Sequence, residues 1–142
     1  MQQYKYNIIG AVLCSIFLLM VLTGCGSAEK SIKKGDAALA LGEYAEAAAQ
    51  YKRAYGQTPA TDKKRRGFVA YKMGDAYRRY GNVARAVGAF QNAVRYGVKD
   101  TLTYLHLGDM LRLQGNYKGA ENAYRAYADS FPGDLRAGQG IN

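Results

Sequence analysis

From Ile8 to Leu22 every position is apolar except Gly10 and Ser15, a run of 15 residues. Past Cys25 the pattern changes. Apolar residues return at helical spacing, as in Tyr44, Ala47, Ala48, Tyr51, Ala54 and Tyr55, and again in Tyr117, Ala120, Tyr124 and Tyr127. The spacing predicts helices near residues 29–41, 44–57, 66–80, 83–96, 101–114 and 117–130. Gly42, Gly81 and Gly115 fall between successive pairs, where a left-handed residue ends one helix before the next begins. The tyrosines beyond Tyr6 lie mostly on the apolar stripes and are read first as core, with their hydroxyls at the rim.

The pattern repeats. Gly74-Asp75 and Gly108-Asp109 are 34 residues apart, and the same shift carries Met73 onto Leu107, Gly81-Asn82 onto Gly115-Asn116, Ala86 onto Ala120 and Phe90 onto Tyr124. Gly35-Asp36, Gly42, Tyr44, Ala47, Tyr51, Ala54 and Pro59 form an earlier copy, displaced by 39, with the five extra residues expected in a connection around Thr61 to Arg66. This set of small residues, aromatics and closing prolines resembles the tetratricopeptide repeat. The resemblance implies an all-α fold: a right-handed superhelical stack of three helical hairpins, at about residues 28–61, 67–100 and 101–134. The glycines kept inside the first helices, each costing up to about 1 kcal/mol against alanine, point to close approach of paired helices. Val98 stands where proline is usual, Val83 where Tyr44 and Tyr117 are aromatic, and Lys34 where an apolar residue is usual. The segment 135–142 reads as a flexible tail, too short and glycine-rich to cap the stack, so the last hairpin is expected to expose an apolar face.

The opening run sets the compartment. Fifteen helical residues rise about 22 Å, short of a hydrocarbon core of roughly 30 Å. The run follows a short polar segment with one charge at Lys5 and ends in Leu22-Thr23-Gly24-Cys25, which resembles the bacterial lipobox. The expectation is a signal peptide over 1–24, lipid on Cys25, a lipidated linker over 25–28 and repeats over 29–134. The plainer alternative is an uncleaved anchor helix with Cys25 an ordinary thiol. No Asp follows Cys25, so the expected place is the outer membrane, facing the periplasm.

Charge and chemistry narrow the function classes. The net charge of +9 suits nucleic acid, anionic lipid or an acidic protein alike. Export argues against nucleic acid. Cleavage would leave one cysteine, and His106 has no second His or Cys near it, so no metal site, cofactor or nucleophile pair is expected. Neither a phosphate-cradling glycine loop nor a serine-hydrolase elbow is present. Asp36, Asp75 and Asp109 recur with the repeat and are read as structural before catalytic. The expectation is therefore a binding protein without enzymatic activity or a small-molecule substrate.

The resemblance also implies a groove lined by the first helix of each hairpin. On that frame the groove holds Ile32, Asp36 and Leu39, then Phe68, Tyr71, Asp75, Arg78 and Arg79, then Leu102, Leu105, Asp109, Arg112 and Leu113. Apolar anchors beside arginines suit an acidic peptide or helix of a protein partner, although arginines also simply solvate a helix face. Where related domains clamp a C-terminal carboxylate, this chain has Ile32, Asp36, Lys72, Leu102 and His106, which does not match. Lys63-Lys64-Arg65-Arg66 reads either as a contact for anionic lipid, glycan or acidic protein, or as a solvated connection running into a helix start. Segments 42–48, 70–78 and 89–94 are similar to the N-terminal repeats of large outer-membrane lipoproteins that also carry an OmpA-like peptidoglycan-binding domain, some of them from the type IX secretion and gliding machinery. That resemblance implies an assembly platform in an envelope complex.

Overall fold

The structure is a computed structural model that describes residues 26–98, 102–136 and 138. The expected signal peptide and Cys25 lie outside the described residues. Among the described residues the chain forms six helices and no strand: α1 (26–40), α2 (Tyr44–Gln57), α3 (Lys63–Tyr80), α4 (Val83–Arg95), α5 (Thr103–Leu113) and α6 (Tyr117–Ser130). They pair as three hairpins, with α3 packed on both α2 and α4, and α5 on both α4 and α6. The all-α stack expected from the repeat is the fold observed.

Each hairpin turns in the same way. Gly42, Gly81 and Gly115 adopt φ of 77°, 83° and 82°, left-handed angles that a side chain would strain. The next residue, Glu43, Asn82 or Asn116, donates its N–H to a carbonyl five residues back, which closes the outgoing helix. Asn82 and Asn116 also cap the incoming helix, their side chains accepting from the N–H of Arg85 and Gly119. One asparagine thus serves two helix ends, and the turn needs only two or three residues.

The core lies between the hairpin partners and is built from small residues facing aromatics. Ala47, Ala54, Ala76, Ala86 and Ala93 are fully buried, as are the rings of Tyr51, Phe90 and Tyr124. The in-helix glycines do permit close approach, but of a ring and not of a backbone. A Cβ at Gly35 would stand 2.6 Å from Tyr51, at Gly74 2.8 Å from Phe90 and at Gly108 2.5 Å from Tyr124.

Three local expectations are corrected. Residues 26–28, expected in a linker, are helical, and Ala28 is buried. The five extra residues do not form a loop. Asp62 accepts from the N–H of Arg65 at 3.0 Å, and Lys63 opens α3, so the insertion becomes added helix. At the end of the third hairpin Phe131 packs against Tyr127, Tyr127 Oη donates to Asp134 and Arg136 donates to both, while Leu135 is exposed. Where buried Val87 lies in α4, its counterpart in α6 is Glu121, ion-paired with Arg125 at 2.6 Å, so this part of the outer face is polar and not apolar.

Candidate peptide-binding groove

The first helices of the first two hairpins are joined by two ion pairs, Arg65 to Glu29 at 2.8 Å and Lys72 to Asp36 at 2.7 Å. Between and beside them lie two hollows. One, of about 520 Å³, is lined by Glu29, Ile32, Asp36, Asp62, Lys64, Arg65, Phe68 and Lys72. The other, of about 570 Å³, is lined by Lys63, Lys64, Phe68, Tyr71, Tyr96, Gly97 and Val98. Phe68 and Lys64 belong to both. Phe68 is 48% exposed and, unlike the other exposed apolar side chains, lines both hollows, so its ring is open to whatever enters either one.

The residues expected in the groove separate into groups. Phe68, Tyr71, Lys63 and Lys64 come together at the second hollow, with Tyr71 also tilted against Phe90 at 6.1 Å. Asp75, Arg78 and Arg79 form a cluster of their own about 10–16 Å further along α3. There Arg78 and Arg79 reach the two carboxylate oxygens at 2.6 and 2.7 Å. Leu105 is only 8% exposed and sits in the core. Asp109 accepts from Tyr124 Oη at 2.8 Å. Arg112 and Leu113 are exposed near the far turn. In the basic run only Lys63 and Lys64 face solvent. Arg65 holds Glu29, and Arg66 donates to the Thr58 carbonyl at 2.7 Å while its guanidinium lies 4.2 Å from the Tyr55 ring centre. Arg66 is thus a strut across the turn between hairpins.

Tyr96 and Val98 were not foreseen in the groove. Their signal was Gly67, where a Cβ would stand 2.6 Å from Val98 and 3.1 Å from Tyr96. A glycine one turn into a basic helix start marks where the end of its own hairpin closes in.

The sequence model of the tetratricopeptide repeat matches residues 31–61 and 71–134. The chain belongs to the tetratricopeptide repeat family. Among solved structures, the first tetratricopeptide domain of Spaghetti (RPAP3) bound to an HSP90 peptide is 19% identical, with a TM-score of 0.70 over 82% of this chain and 88% of that one. The second such domain of human RPAP3, in complex with an HSP70 peptide, is 15% identical with a TM-score of 0.72 over 83% and 94%. MamA is 22% identical with a TM-score of 0.72 over 98% and 72%. No curated protein matches the chain.

The tetratricopeptide frame explains the recurring aspartates. In the first and third repeats the ring over the glycine is a tyrosine, and its hydroxyl donates to the next residue, Tyr51 to Asp36 at 2.6 Å and Tyr124 to Asp109 at 2.8 Å. In the second repeat the ring is Phe90 and has no hydroxyl, so Asp75 takes Arg78 and Arg79 instead. Burial alone would push all three carboxyls up. The polar neighbours outweigh it: Lys72 and Tyr51 for Asp36, Arg78 and Arg79 for Asp75, and, for Asp109, His106 with its Nδ1 4.0 Å from the carboxylate and the Tyr124 hydroxyl. All three are held below the usual carboxylate range. Burial and the Asp36 bond raise the Tyr51 hydroxyl in turn. These carboxylates already carry internal hydrogen bonds, which suits a structural role.

Proposed function

We propose that this chain is a lipid-anchored scaffold without catalytic activity, attached through Cys25 to the outer membrane and facing the periplasm, which holds an acidic segment of a protein partner in an envelope complex. Tetratricopeptide domains generally mediate protein–protein interaction, and two structural neighbours were solved with bound peptides. The observation that carries the reading here is Phe68, half-exposed between two hollows with Lys64 lining both. An extended or helical segment would set an apolar side chain on each flank of Phe68 and a carboxylate near Lys64. At the positions of the family's carboxylate clamp Lys72 is neutralised by Asp36, so a C-terminal tail is not the proposed ligand. The lipobox supports the anchor. The resemblance to repeats of type IX secretion lipoproteins supports a secretion-related platform.

Two measurements test this. Radiolabelled palmitate should enter the full chain and be lost on Cys25→Ser. A photo-crosslinking amino acid at position 68 should capture an envelope protein that the same group at position 112 does not. Label that persists after Cys25→Ser contradicts the anchor, and equal capture from both positions contradicts the groove.

A further inference from the structure

The end of the stack that adjoins residue 26 carries more positive charge than its fold can use. Lys30, Lys33 and Lys34 are exposed and share one face of α1 by their spacing of three and four residues. Lys63 is exposed in the first turn of α3. The Arg65 to Glu29 pair shows that these two helix starts lie side by side. None of the four lysines has an ion-pair partner among the described residues. The nearby acids are engaged, Glu29 by Arg65, Asp36 by Lys72 and Asp62 by the α3 amide of Arg65. Moreover, a lysine at a helix start opposes the helix dipole, and the acid at the start of α3 is the capping Asp62, already bonded to the Arg65 amide. No ion pair among the described residues uses this charge, which leaves it available to an external anion.

The position of the patch says which anion. Residue 26 directly follows Cys25, and Lys30 to Lys34 lie about 6–12 Å further along the helix. That is comparable to the screening length of about 8–10 Å in physiological salt, so a surface reached by lipid on Cys25 would attract these lysines. We propose that this end is a membrane-docking face: anionic phospholipid headgroups contact Lys30, Lys33, Lys34 and Lys63. The stack then stands with its basic end on the bilayer and the exposed hairpin turns at Leu41, Tyr80 and Tyr117 away from it. The proposal rests on the reading that Cys25 is lipidated. It replaces the run at 63–66, of which Arg65 and Arg66 are occupied within the fold.

The test uses the full lipidated chain with vesicles of phosphatidylcholine alone or mixed with phosphatidylglycerol. Flotation reports the anchor. A water-soluble amine reagent, read residue by residue by mass spectrometry, reports docking. Lys30, Lys33, Lys34 and Lys63 should label several-fold more slowly on the anionic vesicles than on the neutral ones, and high salt should remove the difference. Lys52 and Lys118, exposed elsewhere, should not change. The triple variant Lys30→Gln, Lys33→Gln, Lys34→Gln alters only exposed positions and should still float, with Lys63 no longer protected. Equal labelling on both vesicles overturns the proposal, as does protection that arises only when an envelope extract is added, which would name an acidic protein as the occupant. A chain that floats with anionic but not neutral vesicles, with the same four lysines protected, would leave docking standing and remove the anchor. A chain that floats with neither removes both.

Discussion

At the scale of single residues, the fold turns on three glycines that each receive a ring. A methyl group at Gly74 would meet the Phe90 ring at 2.8 Å inside a closed core. The overpacking cost of about 1–3 kcal/mol exceeds the helix-propensity gain of about 1 kcal/mol, so Gly74→Ala should destabilise the chain. Gly88, also mid-helix, has open space around it, and Gly88→Ala should stabilise by up to about 1 kcal/mol. Urea melts of the two variants should move in opposite directions. The sequence pointed to close contact at the recurrent glycines but not to its nature, because a repeat pattern shows that space is needed and not what fills it. The Asp75 cluster was placed in the groove, although its spacing held the signal: an acid with arginines three and four residues later on one helix is a self-paired set before it is a ligand site. The lowered pKa values of Asp36, Asp75 and Asp109 give a pH dependence with a definite sign. A carboxyl more acidic when folded than when unfolded adds stability above its unfolded pKa of about 3.9, and that stability is lost as pH falls from there through the folded pKa. Thermal melts should be insensitive to these groups near neutrality and fall in temperature below about pH 4. Asp75→Asn should flatten part of that fall.

At the scale of helices, all six expected spans agree with the structure to within about three residues at each end, the accuracy the apolar stripes allow. The start of α3 is the difference with a chemical cause. Lys63 to Arg66 carries no apolar period, so it reads as a connection, yet lysine and arginine are good helix formers and Asp62 supplies the cap. Asp62→Ala should cost about 1 kcal/mol and speed hydrogen exchange over 63–66 while leaving α5 and α6 unchanged. Arg66 should behave unlike its neighbours. Arg66→Ala removes the strut to Thr58 and Tyr55 and should lower the melting temperature, whereas Lys63→Ala should not.

At the scale of the molecule, the number of hairpins and their order were legible because the 34-residue period is long and dense in matches. The groove was legible only in part. The repeat frame names a face, but which of its residues meet depends on how far each helix is displaced along its neighbour. Leu105 therefore turns inward, Arg78 and Arg79 close on Asp75, and Tyr96 and Val98 join Phe68 from the far end of the same hairpin. The contacts of Asp134 and Arg136 with Tyr127 were not legible for a related reason: they are hydrogen bonds that no hydrophobic pattern records. In the proposed function Phe68 anchors a partner segment. Its most direct measurement is the affinity of the segment crosslinked at position 68 for the native chain, for Phe68→Ala and for Arg112→Ala, with melting temperatures taken alongside. Phe68→Ala should lower the affinity roughly thirtyfold, the size expected of a central aromatic anchor, with an unchanged melting temperature, and Arg112→Ala should have little effect. An affinity that Phe68→Ala leaves intact, or that both variants reduce equally, would contradict it.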